Sequence, residues 1–189
     1  MTYLGYNLRK GKKTLSSSQI EAILRIPQPC TKQPVREFLG AVGYCRLWIP
    51  GFAEIAKTLY TSIRGKGEDL AREKERRKAY EALKAALTTA PALALPNLEK
   101  PFQLFVTEVW EIVKGVLTQT IGPWKQPIAY LSERLDYVAA GWPNCLRAIT
   151  ATAILTKEAL KLTLGQTLQI ITPHACLLYT SDAADDLLC

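Results

Sequence analysis

Arg36, Gly40 and Tyr44 recur at four-residue intervals, so on a helix a cation, a bare backbone and an aromatic ring line up along one side, with Gly43 beside them. A guanidinium neutralises phosphate, a ring stacks, and a strip without side chains admits another backbone at close range. Glycine inside a helix costs about 1 kcal/mol against alanine, so two of them need a reason. Tight packing of a second helix is one; approach of a nucleic-acid backbone or minor groove is the other. Residues of catalytic type are sparse elsewhere. Glu108 and Glu111 lie close together but read as solvated loop glutamates without partners. His174 is the single histidine and reads as a surface residue, since alone it builds no metal cluster. Cys145, beside Asn144 and without a nearby base, reads as a buried helix thiol and not as a nucleophile. Trp110, Trp124 and Trp142 read as packing residues or loop anchors. No glycine-rich phosphate loop precedes a helix, and no internal repeat is present.

The elements that must position these residues fall into three units. Residues 3–8 alternate around Gly5, and Gly11 breaks a basic segment before Leu15, which is a hairpin pattern of marginal stability by itself. Residues 16–90 predict a small helical bundle. Ser16, Ser17 or Ser18 caps a first helix through Ile20, Ile23 and Leu24, which Pro27 and Pro29 end. The two-faced helix runs over residues 31–48, with Val35, Leu39, Val42 and Leu47 as its apolar stripe. A third helix passes through Ile55 and Leu59 to Gly65 and Gly67. The fourth carries Tyr80, Leu83 and Leu87 toward a core, while Arg72, Lys74, Arg76, Arg77 and Lys78, interleaved with Glu73 and Glu75, read as its solvated face. Residues 91–101 form a proline-punctuated linker. After it come strands at 102–106, 115–119 and 128–131, a long helix at 144–164 and a strand at 167–172.

The 189 residues suffice for one or two small domains, and 48% hydrophobic with 22% charged residues is ordinary for a globular protein. A net charge of +7 and a pI near 9.2 favour a polyanionic partner. No apolar run of about 18 residues occurs, so no membrane partner is expected. The first fifteen residues mix Arg9, Lys10, Lys12 and Lys13 with polar residues, unlike a signal peptide. Five cysteines at irregular spacing make neither a zinc pattern nor a disulfide framework, and a reducing compartment is the default.

The block REFLGAVGYCRLWIPGFAEIAKTLY resembles the thumb of a gammaretroviral reverse transcriptase. The likeness continues through KAYEALKAALTTAPALALP, KPFQLFV, KGVLTQTIGPWKQPIAYLSERLD, AAGWPNCLRAI and LTLGQ, and so reaches from Tyr3 to Ala175. It implies an α+β or α/β chain: a palm-end hairpin over residues 1–15, a helical thumb over 16–90, and an incomplete ribonuclease H-like connection domain of mixed sheet over 91–175. Tyr3-Leu4-Gly5-Tyr6 then matches the primer grip, and Arg36, Gly40, Gly43 and Tyr44 would track the minor groove of an RNA/DNA hybrid or DNA duplex. The parent would be an RNA-directed DNA polymerase with a downstream ribonuclease H, within a Pol polyprotein whose remainder is a partner, located in the cytoplasm or virion core. The YxDD-type strand with the polymerase aspartates lies upstream in that family and is absent here.

Two-metal hydrolysis needs carboxylates converging on ions about 4 Å apart. Active ribonuclease H-like relatives end the first strand in an Asp, begin the central helix with a Glu and end the fourth strand in another Asp. Registering this chain on GVLTQ, CLRAI and IITPH puts Thr107, Cys145 and Pro173 at those places, and none binds a hard divalent cation as a carboxylate does. The resemblance therefore implies no catalytic residue, no metal and no cofactor in this segment, with Mg²⁺ belonging to the parent enzyme. The alternatives are an active retrotransposon-type nuclease of this group and an inert or co-opted endogenous retroviral remnant. Residues 176–189 stand apart: CLLYTSDAAD resembles the translation of a transposon-end adapter used in sequencing libraries, and the segment is expected to be a non-native tail. Without its three aspartates the chain has 24 basic and 14 acidic residues.

Overall fold

The computed structural model describes residues 2–3, 5–28, 31–64 and 70–173. Leu4, Cys30, Gly65, Gly67, His174 and the expected tail at 176–189 lie outside the described residues. The chain divides into two compact units, residues 1–95 and 96–189.

Among the described residues the first unit combines a small sheet with four α-helices. Strands β1 (Thr2–Tyr3), β2 (Tyr6–Arg9) and β3 (Lys12–Leu15) are antiparallel neighbours, and β4 (Leu93–Ala94) pairs with β3. The β2–β3 hairpin turns through Lys10 and Gly11, both at positive φ (49° and 74°), the geometry of a two-residue turn matched to strand twist. The hairpin is thus not alone, and the expected linker at 91–101 contains a strand. Leu93 and Ala94 are buried, and Leu95 N–H donates to Gly11 O at 2.9 Å.

Helices α1 (Ser17–Arg25), α2 (Lys32–Gly43), α3 (Phe52–Arg64) and α4 (Leu70–Thr88) follow, with a 3₁₀ turn at Arg46–Trp48. Ser16 is the N-cap of α1, its Oγ accepting from Gln19 N at 3.3 Å. The other end of α1 is closed from α4. Lys84 Nζ donates to Leu24 O and Ile26 O at 2.6 and 2.7 Å, and Tyr80 Oη donates to Ile26 O, so two side chains satisfy carbonyls that the helix cannot. Tyr80, Leu83 and Leu87 are buried as their spacing predicts. Lys74, Arg77 and Lys78 are exposed, and Arg77 pairs with Glu81 at 3.2 Å. The stripe of α2 is Val35, Phe38, Leu39 and Val42, while Leu47 is only half-buried because the helix ends at Gly43 and the 3₁₀ turn rotates Trp48 and then Ile49 inward instead.

The second unit is a four-stranded mixed sheet with a long helix. Strands β5 (Phe102–Val109), β6 (Ile112–Ile121) and β7 (Trp124–Arg134) form an antiparallel meander, short helix α5 (Tyr137–Ala140) and long helix α6 (Asn144–Thr163) follow, and β8 (Leu168–Ile171) returns parallel to β5. The order is β7-β6-β5-β8. Phe102, Leu104 and Val106 alternate onto the buried face of β5. Gly115 of β6 lets α6 approach: a Cβ there would stand 2.6 Å from Leu155 Cδ1 and 3.1 Å from Phe105 O. Buried Gln119 ties down the entry loop, accepting from Asn97 N at 2.9 Å and donating to Asn97 O and Lys100 O at 2.7 and 2.9 Å. No helix among the described residues is long and apolar enough to cross a membrane.

Candidate nucleic-acid interface

Arg36, Gly40 and Tyr44 are all exposed on α2. The helix proper stops at Gly43, but Tyr44 keeps a right-handed helical backbone (φ −62°, ψ −30°), so its ring stays on the same line. A Cβ added at Gly40 or Gly43 would meet nothing within 4 Å. Of the two reasons for these glycines, packing of another helix of this unit is therefore excluded among the described residues, and an open strip remains.

The hairpin comes to this strip. Tyr6 of β2 stacks on Tyr44 (centroids 5.5 Å apart, planes 3° from parallel) and on Trp48 (4.7 Å, 23°), while Lys13 Nζ lies 5.2 Å from the centre of the Trp48 ring. Trp48 is buried, Tyr6 is half-buried and Tyr44 is 50% exposed, so the stack runs from the core to the surface and ends in a half-open ring. Burial, reinforced by a hydrogen bond with Tyr44, pushes the Tyr6 hydroxyl well above the ordinary phenol range. Burial lowers the Lys13 ammonium and pushes the thiol of buried Cys45 up to about 11. Of the residues expected to match a primer grip, Tyr3 pairs with Tyr6 in the ladder, and Gly5, at φ +79°, turns the chain where a Cβ would stand 2.6 Å from Gln19 Oε1. Sequence spacing separates Tyr6 from Tyr44; the structure joins them and adds Trp48 and Lys13, which no local periodicity singles out. Arg9, Lys10, Lys12, Arg36 and Arg46 are exposed around the same unit.

In the second unit, Thr107 is exposed, on the face of β5 opposite Phe102, Leu104 and Val106. Pro173 lies past the end of β8 and is exposed. Cys145 is exposed in the first turn of α6, not buried as expected, because the apolar face of that helix is carried by Ala148, Ala151, Thr152 and Leu155. Glu108 and Glu111 also differ from expectation. β5 extends to Val109, so Glu108 belongs to a strand; its side chain is only 4% exposed and pairs with Arg147 Nε at 3.5 Å. Arg134 Nη2 donates to Glu111 Oε2 at 3.1 Å. Trp110 and Trp124 do not pack as anchors, being 86% and 74% exposed at hairpin tips, and Trp142 is 41% exposed. A hydroxyl, a thiol and a proline ring do not fit a hard divalent cation, and no cluster of three or more His, Cys, Asp or Glu suited to a metal occurs among the described residues.

An antiparallel three-stranded meander, a long helix and a fourth strand parallel to the first define a ribonuclease H-like domain, here preceded by a helical unit. The sequence profile described as "RNase H-like domain found in reverse transcriptase" matches residues 73–170, and the chain belongs to that family. It is similar to retroviral Pol polyproteins: 60% identical over 92% of the chain to the Gag-Pol polyprotein of avian reticuloendotheliosis virus, 57% over 93% to the Pol polyprotein of feline endogenous virus ECE1, and 55% over 92% to the Gag-Pol polyprotein of feline leukemia virus. The chain spans 15%, 17% and 10% of the length of these relatives, so it corresponds to one segment of a gammaretroviral Pol. Among solved structures, the foamy viral protease-reverse transcriptase dRH in complex with double-stranded DNA superposes with a TM-score of 0.84 at 22% identity, over 96% of this chain and 32% of that one. The foamy viral protease-reverse transcriptase in complex with an RNA/DNA hybrid gives 0.78 at 22% identity, over 92% and 24%. At that identity the likeness establishes the fold.

Proposed function

We propose that this chain is the segment of an RNA-directed DNA polymerase that holds the template-primer duplex, and that it catalyses neither polymerisation nor hybrid cleavage by itself. The observation that carries this is the open strip over Gly40 and Gly43, bordered by exposed Arg36 at one end and at the other by the Tyr6–Tyr44 stack. A duplex backbone or minor groove would lie against the strip, Arg36 and neighbouring cations would meet phosphates, and Tyr44 would rest on sugar or base. Such contacts respond to duplex shape and not to base sequence. The foamy viral structures similar to this chain contain double-stranded DNA and an RNA/DNA hybrid, which supports the same ligand class here. Thr107, Cys145 and Pro173 lack the carboxylates that two-metal hydrolysis requires, so Mg²⁺ belongs to other parts of the parent Pol protein.

Fluorescence anisotropy with a labelled RNA/DNA hybrid tests the reading. Weak binding that falls steeply as salt rises, with little preference among sequences, is expected. No binding at low salt would overturn it. Incubation of the hybrid with Mg²⁺ or Mn²⁺ should leave it intact, and reproducible metal-dependent cleavage by the purified chain would refute the inactive assignment.

A further inference from the structure

We propose that the guanidinium of Arg147 is the fixed counter-cation of Glu108 at the end of β5 that faces α6, closing that end to a divalent cation and committing Glu108 to holding the domain together. The inference is independent of duplex binding by the first unit. Alternation along β5 puts Glu108 on the face of Phe102, Leu104 and Val106, where it is 4% exposed. A carboxylate so enclosed requires a counter-charge. Arg147, in the first turn of α6 and 25% exposed, supplies it with Nε 3.5 Å from Glu108 Oε1. Its Nη2 donates to Asn144 Oδ1 at 2.8 Å, which fixes the guanidinium against the start of the helix.

Glu108 has a second duty. Its Oε1 accepts from Glu111 N at 3.3 Å. Trp110 and Glu111 are the two central residues of the β5–β6 turn, and both adopt positive φ, 50° and 67°, a conformation that L side chains disfavour. Glu111 is also held by Arg134 and by its own carbonyl, which accepts from Leu135 N at 2.8 Å. One buried carboxylate therefore links α6 to a strained turn. A metal ion entering here would have to displace a covalently tethered cation of like sign, whereas carboxylates facing one another across the same two elements would demand one.

The experiment uses the whole chain and thermal unfolding in EDTA, MgCl₂ or MnCl₂. The wild-type midpoint is expected to be the same in all three. Glu108→Gln and Arg147→Met should each lower it by roughly 5 °C, and the double variant should fall no further than the worse single one. Arg147→Glu, which opposes two carboxylates, should be the least stable in EDTA and recover with Mn²⁺; should it not fold, the cycle of Gln and Met variants decides. Losses that add in the double variant, stabilisation of the wild type by Mn²⁺, or a folded Arg147→Glu protein indifferent to Mn²⁺ would each overturn the proposal.

Discussion

The ring of Tyr6 lies 5.5 Å from that of Tyr44, its plane 3° from parallel, so a hairpin strand and the end of a helix present one continuous aromatic surface. Trp48 backs it from the core at 4.7 Å from Tyr6. A stacked pair of this kind contributes about 0.5–1.5 kcal/mol beyond its buried area. It also fixes where the Tyr44 ring stands relative to the glycine strip.

Tyr6→Ala should therefore weaken hybrid binding by about 3–10-fold through loss of the backing under Tyr44, while Tyr6→Phe, which keeps the ring, should bind within about two-fold of wild type. Anisotropy titrations at one salt concentration compare the three proteins. Equal affinity for Tyr6→Ala would detach the stack from the interface.

Gly40 offers a test with opposite signs. A Cβ there meets open space, so Gly40→Ala should stabilise the first unit by about 0.5–1 kcal/mol through helix propensity and at the same time reduce hybrid affinity. Gly40→Leu should reduce affinity further. Urea unfolding and anisotropy read the two effects separately, and a stabilised protein with unchanged binding would remove the close-approach role of the glycine.

Gly115 should behave in the reverse way. Its missing Cβ is filled by Leu155 Cδ1 at 2.6 Å and Phe105 O at 3.1 Å, so Gly115→Ala must push α6 off β6 or move Leu155, at about 1–3 kcal/mol. Loss of stability in the second unit, by calorimetry, is the expected result. Hybrid binding assigned to the first unit should survive.

Alkaline stability should depend on Cys45. Burial raises the thiol from 9.0 to about 11, so the folded state resists ionisation that the unfolded chain accepts. Its stabilising contribution is complete below pH 9 and disappears as pH climbs through 11, at most on the order of 2–3 kcal/mol. Lys13, whose pKa burial lowers, acts in the opposite direction as it loses its proton, and the raised Tyr6 hydroxyl acts in the same direction as Cys45. Comparing Cys45→Ala with wild type across this range isolates the thiol, and parallel pH profiles would refute its role.

Strong local periodicity made much of the architecture legible. Tyr80, Leu83 and Leu87 mark the core face of α4, and the strands, the long helix and the closing strand after residue 101 fall close to where alternation and spacing put them. What escaped was non-local or lay at element ends. β4 is two residues between prolines, too short for any pattern, and exists because β3 supplies its partner. The Tyr6–Tyr44 contact joins residues far apart in sequence, so spacing along α2 finds only half of it. Glu108 reads as a loop residue because the apolar run of β5 ends at Val106; continuing the alternation by one more step puts it on the inner face, where a charged partner on α6 makes the position tolerable. The exposed tryptophans follow from the same limit: residue type suggests burial, but at hairpin tips nothing covers them.

The register Lys13↔Leu93 sets an order of events during synthesis. Strands β1, β2 and β3 precede α1 to α4, yet β4 is made roughly 80 residues after β3, behind those helices. Closing so long a loop is slow compared with forming helices or a hairpin. A nascent chain released through residue 90 should thus have helical ellipticity but rapid amide exchange on the edge of β3 that faces β4, around Lys13, and protection there should arrive only once residues 93–95 leave the ribosome, making the unit's completion a late step governed by chain length and not by local sequence.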